Sequence, residues 1–432
     1  MTASATARAF ASLRVRNFRL FVIGQIVSAM GTWMMVVAQD WLVLGMTGDS
    51  GTALSTVTAL QFAPVLLLTL YGGRLADRFD KRRLLTVANL VSGVLALVLG
   101  TLVLTGAVRL WSVYGFALAL GLVNAVEIPA RMSFVGELVG AELLPNASAL
   151  SAAYFNVARI VGPAGAGLLI GFLGTGWVML VNGVSYLATV AALRLMDPTR
   201  LRGAAPGRDR ARVGDGLRYV ARRPDVLVPL ALVAAVAVFG MNFQLTLPLL
   251  AKTVFHSDAA TFGLVTAAFA TGSLVAAFAG TLRRGRPAQR LVIVSAAAFG
   301  VAEAAVGWAP TYGTAAALLF VTGLTTTHFA QAANHRIQLG SDPRYRGRVL
   351  GLYTLILQGS TPLGALLMGR VAEHAGARAT FVAGGLCSLA AALVAVTVGR
   401  RGAEASPPLA EPEADSAHRD DETRSADLRP QR

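Results

Sequence analysis

Apolar residues run through this chain in long blocks, each closed by a short polar or basic stretch. Periodicity inside a block is faint. What recurs is the block itself, at about the 20 residues an α-helix needs to cross bilayer hydrocarbon. Twelve membrane helices are predicted, at 18–46, 53–71, 84–104, 111–134, 147–173, 177–195, 226–251, 261–282, 289–308, 314–334, 349–371 and 380–400. The segment 196–225 carries Pro198, Gly203, Pro206 and Gly207 among alternating Arg and Asp. It is the one long internal polar connection, and it divides the helices six and six. The chain is thus expected to comprise a polar N-terminus (1–17), two six-helix bundles (18–195 and 226–400), the central loop between them, and a tail (401–432). The tail mixes Glu, Asp, Pro, Ser and Arg without an apolar period, so it is expected to be disordered.

The halves echo each other. Pro163-Ala164-Gly165-Ala166 in the fifth helix returns as Pro362-Leu363-Gly364-Ala365 in the eleventh. The stretch from Gly73 has a degraded counterpart in Gly280-Thr281-Leu282-Arg283-Arg284-Gly285-Arg286. Both echoes are offset by about 200 residues, as expected of two homologous bundles facing each other across a midplane site.

Composition agrees with lipid as the main solvent: 55% of residues are hydrophobic, 14% are charged and mean hydropathy is +0.59. The net charge of +15 could suggest nucleic acid, but its cations sit in short loops with no aromatic-interleaved basic face, so no nucleic-acid partner is expected. Of 38 lysines and arginines, Arg131 and Arg159 fall within spans and Arg109, Lys252, Arg370 and Arg378 on one side. The rest share the other side with both chain ends. By the positive-inside bias that side is the cytoplasm. A single cysteine, Cys387, excludes an intramolecular disulfide framework or a multi-cysteine metal site. The polar start and the length of the first block argue against a cleaved signal. No Walker loop, HExxH or GxSxG occurs, so no enzyme and no cofactor are expected, and uphill work would draw on an ion gradient.

The basic turn after the second block reads Gly73-Arg74-Leu75-Ala76-Asp77-Arg78-Phe79-Asp80-Lys81-Arg82-Arg83. Asp77, a carboxylate inside a turn of five cations, calls for a partner, either a neighbouring cation or a helix N-terminus. This stretch resembles the loop between helices two and three of the major facilitator superfamily, with Asp80 where that pattern usually has a second Gly. The resemblance covers about residues 10–400. It implies an all-α membrane carrier of twelve helices in two pseudo-symmetric bundles, working as a monomer by alternating access. Arg159-Ile160-Val161-Gly162-Pro163-Ala164-Gly165-Ala166-Gly167 is similar to the fifth-helix motif of the exporting and antiporting branches. With the stretch from Trp41 to Gly48, it is most similar to the enterobactin and macrolide exporters. The implied activity is proton-driven export of a small amphipathic molecule from a bacterial inner membrane. By themselves, the small residues of the fifth helix need only a packing role.

Ionisable residues inside spans are expensive and are candidates for function. Asp40 is expected to carry the proton, because a carboxyl alternately dry and wet takes up and releases one; otherwise it is a solvated group at the outer mouth. Glu127 and Arg131, four apart on one helical face, are oriented for an ion pair. Structure is favoured over coupling there, although Glu127 remains a proton candidate. A cytoplasmic gate is expected from Gly73, Asp77, Arg78, Arg131 and Gly347, with Asp77 meeting the N-terminus of the eleventh helix in the outward-open state. Substrate candidates are Gln25, Trp33, Gln39, Tyr154, Asn156, Phe239, Asn242, Phe243, Gln244, His328, Gln331 and Gln358. Glu303, near a helix end, is expected to be wet. Two rival readings share these features: a metabolite importer, told apart by direction, and a non-transporting receptor or scaffold, which needs no coupling carboxylate.

Overall fold

The computed structural model describes residues 10–201, 213–281, 285–342 and 345–404, and these are helical almost throughout, with no strand among them. The spans are α1 (Arg16–Thr47), α2 (Gly51–Arg78), α3 (Lys81–Leu104), α4 and α5 (the arms 110–139 and 141–173 of one helix broken at Gly140), α6 (Thr175–Leu195), α7 (Pro224–Val254), α8 (Ala259–Thr281), α9 (Gln289–Gly307), α10 (Tyr312–Gly340), α11 (Arg346–Ala375) and α12 (Ala377–Glu404). Gly140 parts α4 from α5 because it holds φ 77°, which a residue without Cβ adopts freely. By length and composition, α10 is too polar to be recognised as a span. The cause is visible in the fold: its Thr326, Thr327, Gln331 and Asn334 line a cavity instead of meeting lipid.

Most helices outrun the blocks that predicted them. The turn expected at Gly73–Arg83 is largely helix: α2 continues to Arg78, and only Phe79 and Asp80 separate it from α3. Asp80 makes so short a link possible by capping α3, its Oδ1 accepting from the Arg83 N–H at 3.1 Å. The residues between the fourth and fifth predicted spans are helical too, and α11 starts at Arg346, ahead of Gly347 and Arg348. Hydropathy marks the greasy middle of a helix, whereas basic ends remain helical outside it. The central connection also has structure, a 3₁₀ turn (Pro198–Arg200) and a short helix (Val213–Ala221). Its arginines at 202, 208, 210 and 212, the echo residues 282–284 and the tail from 405 lie outside the described residues.

α1–α6 pack together, as do α7–α12, and the halves meet where α2 lies on α11 and α5 on α8. Exchanging the halves exchanges these two seams. Glycine does equivalent work in each: a methyl on Gly162 (α5) would come 2.6 Å from Trp33 Cβ of α1, and one on Gly364 (α11) would come 2.6 Å from Asn242 Oδ1 of α7. Near the basic end of the first half, Lys81 pairs with Glu137 at 2.6 Å, both largely buried, and Arg82 donates to the carbonyls of Leu193 (2.6 Å) and Arg194 (3.0 Å).

Candidate functional site

The twelve crossings put both described chain ends on one face of the bundle. The opposite face is closed between the halves. There a methyl on Gly51 (α2) would fall 2.8 Å from Ala372 Cβ of α11 and 3.0 Å from the Gly369 carbonyl, so the backbones touch. Glu373 Oε2 accepts from Ser50 Oγ (3.0 Å) and the Thr52 N–H (3.1 Å) across the same seam. Asp49, held at φ 67° just after α1, pairs with Lys252 of α7 at 2.7 Å. The Lys252 ammonium also lies over Trp41, which itself stacks on Phe262 of α8 with ring centres 6.1 Å apart. On the face that carries the chain ends the halves stand apart. Methyls on Gly73, Gly347 or Gly351 would meet nothing within 4 Å, and Tyr71 and Phe79 are exposed. Asp77 is exposed and makes no hydrogen bond or ion pair with a described residue; Arg78 lies over Phe79.

Between the halves lies a cavity of about 540 Å³, lined from α1, α2, α5, α7, α8, α10 and α11. Its walls are mostly apolar and aromatic (Trp33, Phe62, Phe243, Phe262, Phe269, Tyr353), with Asn242, Gln244, Gln331 and several threonines between them. Two ionisable groups face it. Asp40 of α1 is only 6% exposed and makes no hydrogen bond or ion pair with a described residue. It is one residue before Trp41, so it lies directly beneath the closed face and not at a solvated mouth. Arg159 of α5 places its guanidinium 5.7 Å from the centre of the Phe269 ring. A smaller cleft of about 220 Å³ within the first half shares Trp33 and Gln244 with the cavity and is lined by Gln25, Thr32, Asn89, Glu127, Arg131 and Tyr186, among others. There Arg131 Nε holds Glu127 Oε1 at 2.9 Å, and Tyr154 lies beside Arg131.

α7 shapes the second half of the cavity. Its first segment (Pro224–Phe239) stops at Gly240, and helix resumes at Phe243 and ends in a π turn (Leu250–Val254). Gly240 and Asn242 are poor helix formers, and Pro248 takes a backbone donor from the second segment. Asn242 holds the break by donating from Nδ2 to the Val238 carbonyl at 2.7 Å. Asn242, Phe243 and Gln244 are thereby presented to the cavity.

Eleven of the residues singled out from the sequence therefore line one space or the other: Trp33, Asp40, Arg159, Pro163, Asn242, Phe243, Gln244 and Gln331 in the cavity, and Gln25, Glu127 and Arg131 in the cleft. Others do not. Gln39 is buried away from both, Gln358 is exposed outside them, and Asn156 bonds back to the Ala152 carbonyl of its own helix. Tyr154, Phe239 and His328 are absent from both linings; Tyr154 and Phe239 pack in the cores of their halves. In the fifth-helix motif, Gly162 admits α1 and Gly167 lies against the Ala259 backbone of α8, while a methyl on Gly165 would meet open space. Glu303 is overturned as a wet residue: it is 3% exposed. The sequence reading missed Thr58, Phe62, Phe269 and Tyr353, as well as the closing residues Asp49 and Glu373. Threonines recurring inside apolar blocks were the available signal.

Comparison with known proteins agrees with this architecture. A family described as transmembrane secretion effector matches residues 7–421. The chain is 30% identical over 401 residues to the multidrug efflux pump Tap of Mycobacterium tuberculosis (strain ATCC 25618 / H37Rv), covering 87% of this chain and 92% of Tap. It is 24% identical to the staphyloferrin A transporter of Staphylococcus aureus (strain NCTC 8325 / PS 47), covering 86% of this chain and 94% of that one. Among solved structures, a bacterial homologue of the human lysosomal transporter Spinster shares the fold with a TM-score of 0.71 at 15% identity, over 89% of this chain and 97% of that one.

Proposed function

This chain belongs to the transmembrane secretion effector family of the major facilitator superfamily, and from that premise we propose that it exports a small amphipathic organic molecule in exchange for protons. The observation that carries this reading is Asp40: a nearly buried carboxyl without a partner among the described residues, in the wall of the cavity between the halves and directly under the closed face. A cavity of this size suits a drug-sized molecule, and its aromatic walls with scattered amides and hydroxyls suit one with both apolar and polar parts. The names of the relatives, a multidrug pump and a siderophore transporter, support the same class of cargo. The basic face is then cytoplasmic, with both termini there, and the protein lies in the bacterial cytoplasmic membrane as a monomer.

In this inward-open form, cargo enters from the cytoplasm and Asp40 releases its proton to that side. Rocking of the halves parts Trp41 from Phe262 and Lys252 from Asp49, which wets Asp40 from outside. Cargo leaves and a proton returns to the carboxyl. Asp77, without a partner among the described residues in the present form, meets the unpaired N–H groups at the start of α11 once the cytoplasmic side closes.

The test is proton release from energised inverted vesicles on addition of a transported dye, wild type against Asp40→Asn. The wild type releases protons while concentrating the dye, and Asp40→Asn passes the dye downhill without proton release. Equal proton signals from both would remove Asp40 from coupling. Depletion of dye from the vesicles would reverse the direction.

A further inference from the structure

We propose that Glu303 is a second proton-binding site, occupied as the neutral acid in this conformation and linked to the break in α7. Glu303 lies on α9, on the side of α7 away from the cavity, and is 3% exposed. Its Oε2 is fully buried and meets no hydrogen-bond partner among the described residues, and neither does the Ser388 hydroxyl of α12. Two glycines make room for the carboxyl. A methyl on Gly240, at the break, would lie 2.8 Å from Oε2 and 2.9 Å from Ser388 Oγ. One on Gly384 of α12 would lie 2.7 Å from Oε1 and equally 2.7 Å from the Phe239 carbonyl oxygen.

The surrounding groups select the protonation state. Helices α7, α10 and α12 pack against α9. Among the described residues, the one titratable group they bring to Glu303 is the Cys387 thiol of α12. Arg378, also on α12, is committed to the Gly307 carbonyl (3.3 Å) and the Phe255 ring. An ionised carboxylate would face the Phe239 carbonyl, itself only an acceptor, with no cation among the described residues and one hydroxyl to satisfy it, an arrangement that disfavours the charge. The neutral acid gains a donor, and the same carbonyl or hydroxyl can accept from it.

A physical route joins this group to the cavity. Phe299, one turn before Glu303 on α9, abuts Gly240 and meets Phe243 edge-on, with ring centres 6.2 Å apart. Phe243 in turn meets Phe269 with ring centres 4.3 Å apart and planes tilted by 39°, and Arg159 lies over Phe269. Loss of the Glu303 proton would set its charge against the carbonyl at the break and shift that aromatic row. This consequence for transport rests on the exporter reading; the protonation itself does not.

Infrared spectroscopy of the full chain in detergent separates the two. A carboxylic-acid C=O stretch is expected at neutral pH, lost in Glu303→Gln, moved in Ser388→Ala and kept in Asp40→Asn. If Glu303→Gln does not fold, the Ser388→Ala shift and a titration of the wild-type band to alkaline pH assign it. A carboxylate band lost instead in Glu303→Gln, or an acid band that neither variant alters, would overturn the proposal. So would an acid band seen in choline chloride but abolished by sodium chloride, which would make the site one for a metal cation.

Discussion

At the scale of single residues, neighbours decide what each intramembrane carboxyl can do. Glu127 has Arg131 within 2.9 Å and keeps its charge compensated; Asp40, 6% exposed, has no such partner among the described residues. On the proposed mechanism, Glu127→Gln keeps proton release in the vesicle assay, whereas Asp40→Asn loses it. Lys81 and Glu137 form a second pair, 6% and 17% exposed. Lys81→Met strands a buried carboxylate and is expected to cost about 3–5 kcal/mol, while Lys81→Met with Glu137→Leu restores most of it. Thermal unfolding in detergent measures both, and equal losses in the single and double variants would contradict the pairing. Asp40 and the Glu127–Arg131 pair were readable in the sequence because a charge stands out in an apolar block. Glu303 was misread because distance from a block's end says nothing of burial. Its concealment depends on Gly240 and Gly384, which come together only in the fold.

At the scale of elements, the block pattern of the sequence located the spans yet misjudged where helices stop, and it is faintest at α10, whose polar residues face the cavity. The clearest case is α2, whose last turn runs through Arg74 and Arg78 into what read as a loop. The interruption of α7 had a signal in Gly240, Asn242 and Pro248, residues that end helices in any solvent. The close seams on the closed face were not readable, since which glycine meets which backbone is a property of paired helices. These seams rank above the ion pair beside them. Lys252 and Asp49 are 21% and 35% exposed, so Lys252→Ala should weaken closure by no more than about 1 kcal/mol, roughly fivefold in population. Gly369→Leu, which drives a side chain into Ser55 and the Gly51 carbonyl, should keep the outer face open. Labelling of a cysteine placed at Thr58 from the outside reads both: strong in Gly369→Leu, slight in Lys252→Ala. The reverse order would show that charge, not backbone contact, closes that face.

For the whole molecule, the two seams α2–α11 and α5–α8 exchange when the halves exchange, so one rocking motion can open either face without repacking a bundle. The repeat behind this was legible in the echo of Pro163–Ala166 by Pro362–Ala365, although its glycines do different work: a methyl on Gly364 would meet α7, and one on Gly165 open space. The conformation was not legible: a sequence carries the contacts of every state at once, and only a structure shows which set is made. Here the set opposite the chain ends is made and Asp77 has no partner among the described residues. The most direct measurement is of two distances in one reconstituted protein, by paired spin labels at Arg78 and Arg348 on the basic face and, separately, at Thr52 and His374 on the opposite face. Imposing a proton gradient in the presence of cargo should shorten the first distance and lengthen the second. If both stay fixed, or both change in the same sense, the halves do not rock about a shared cavity.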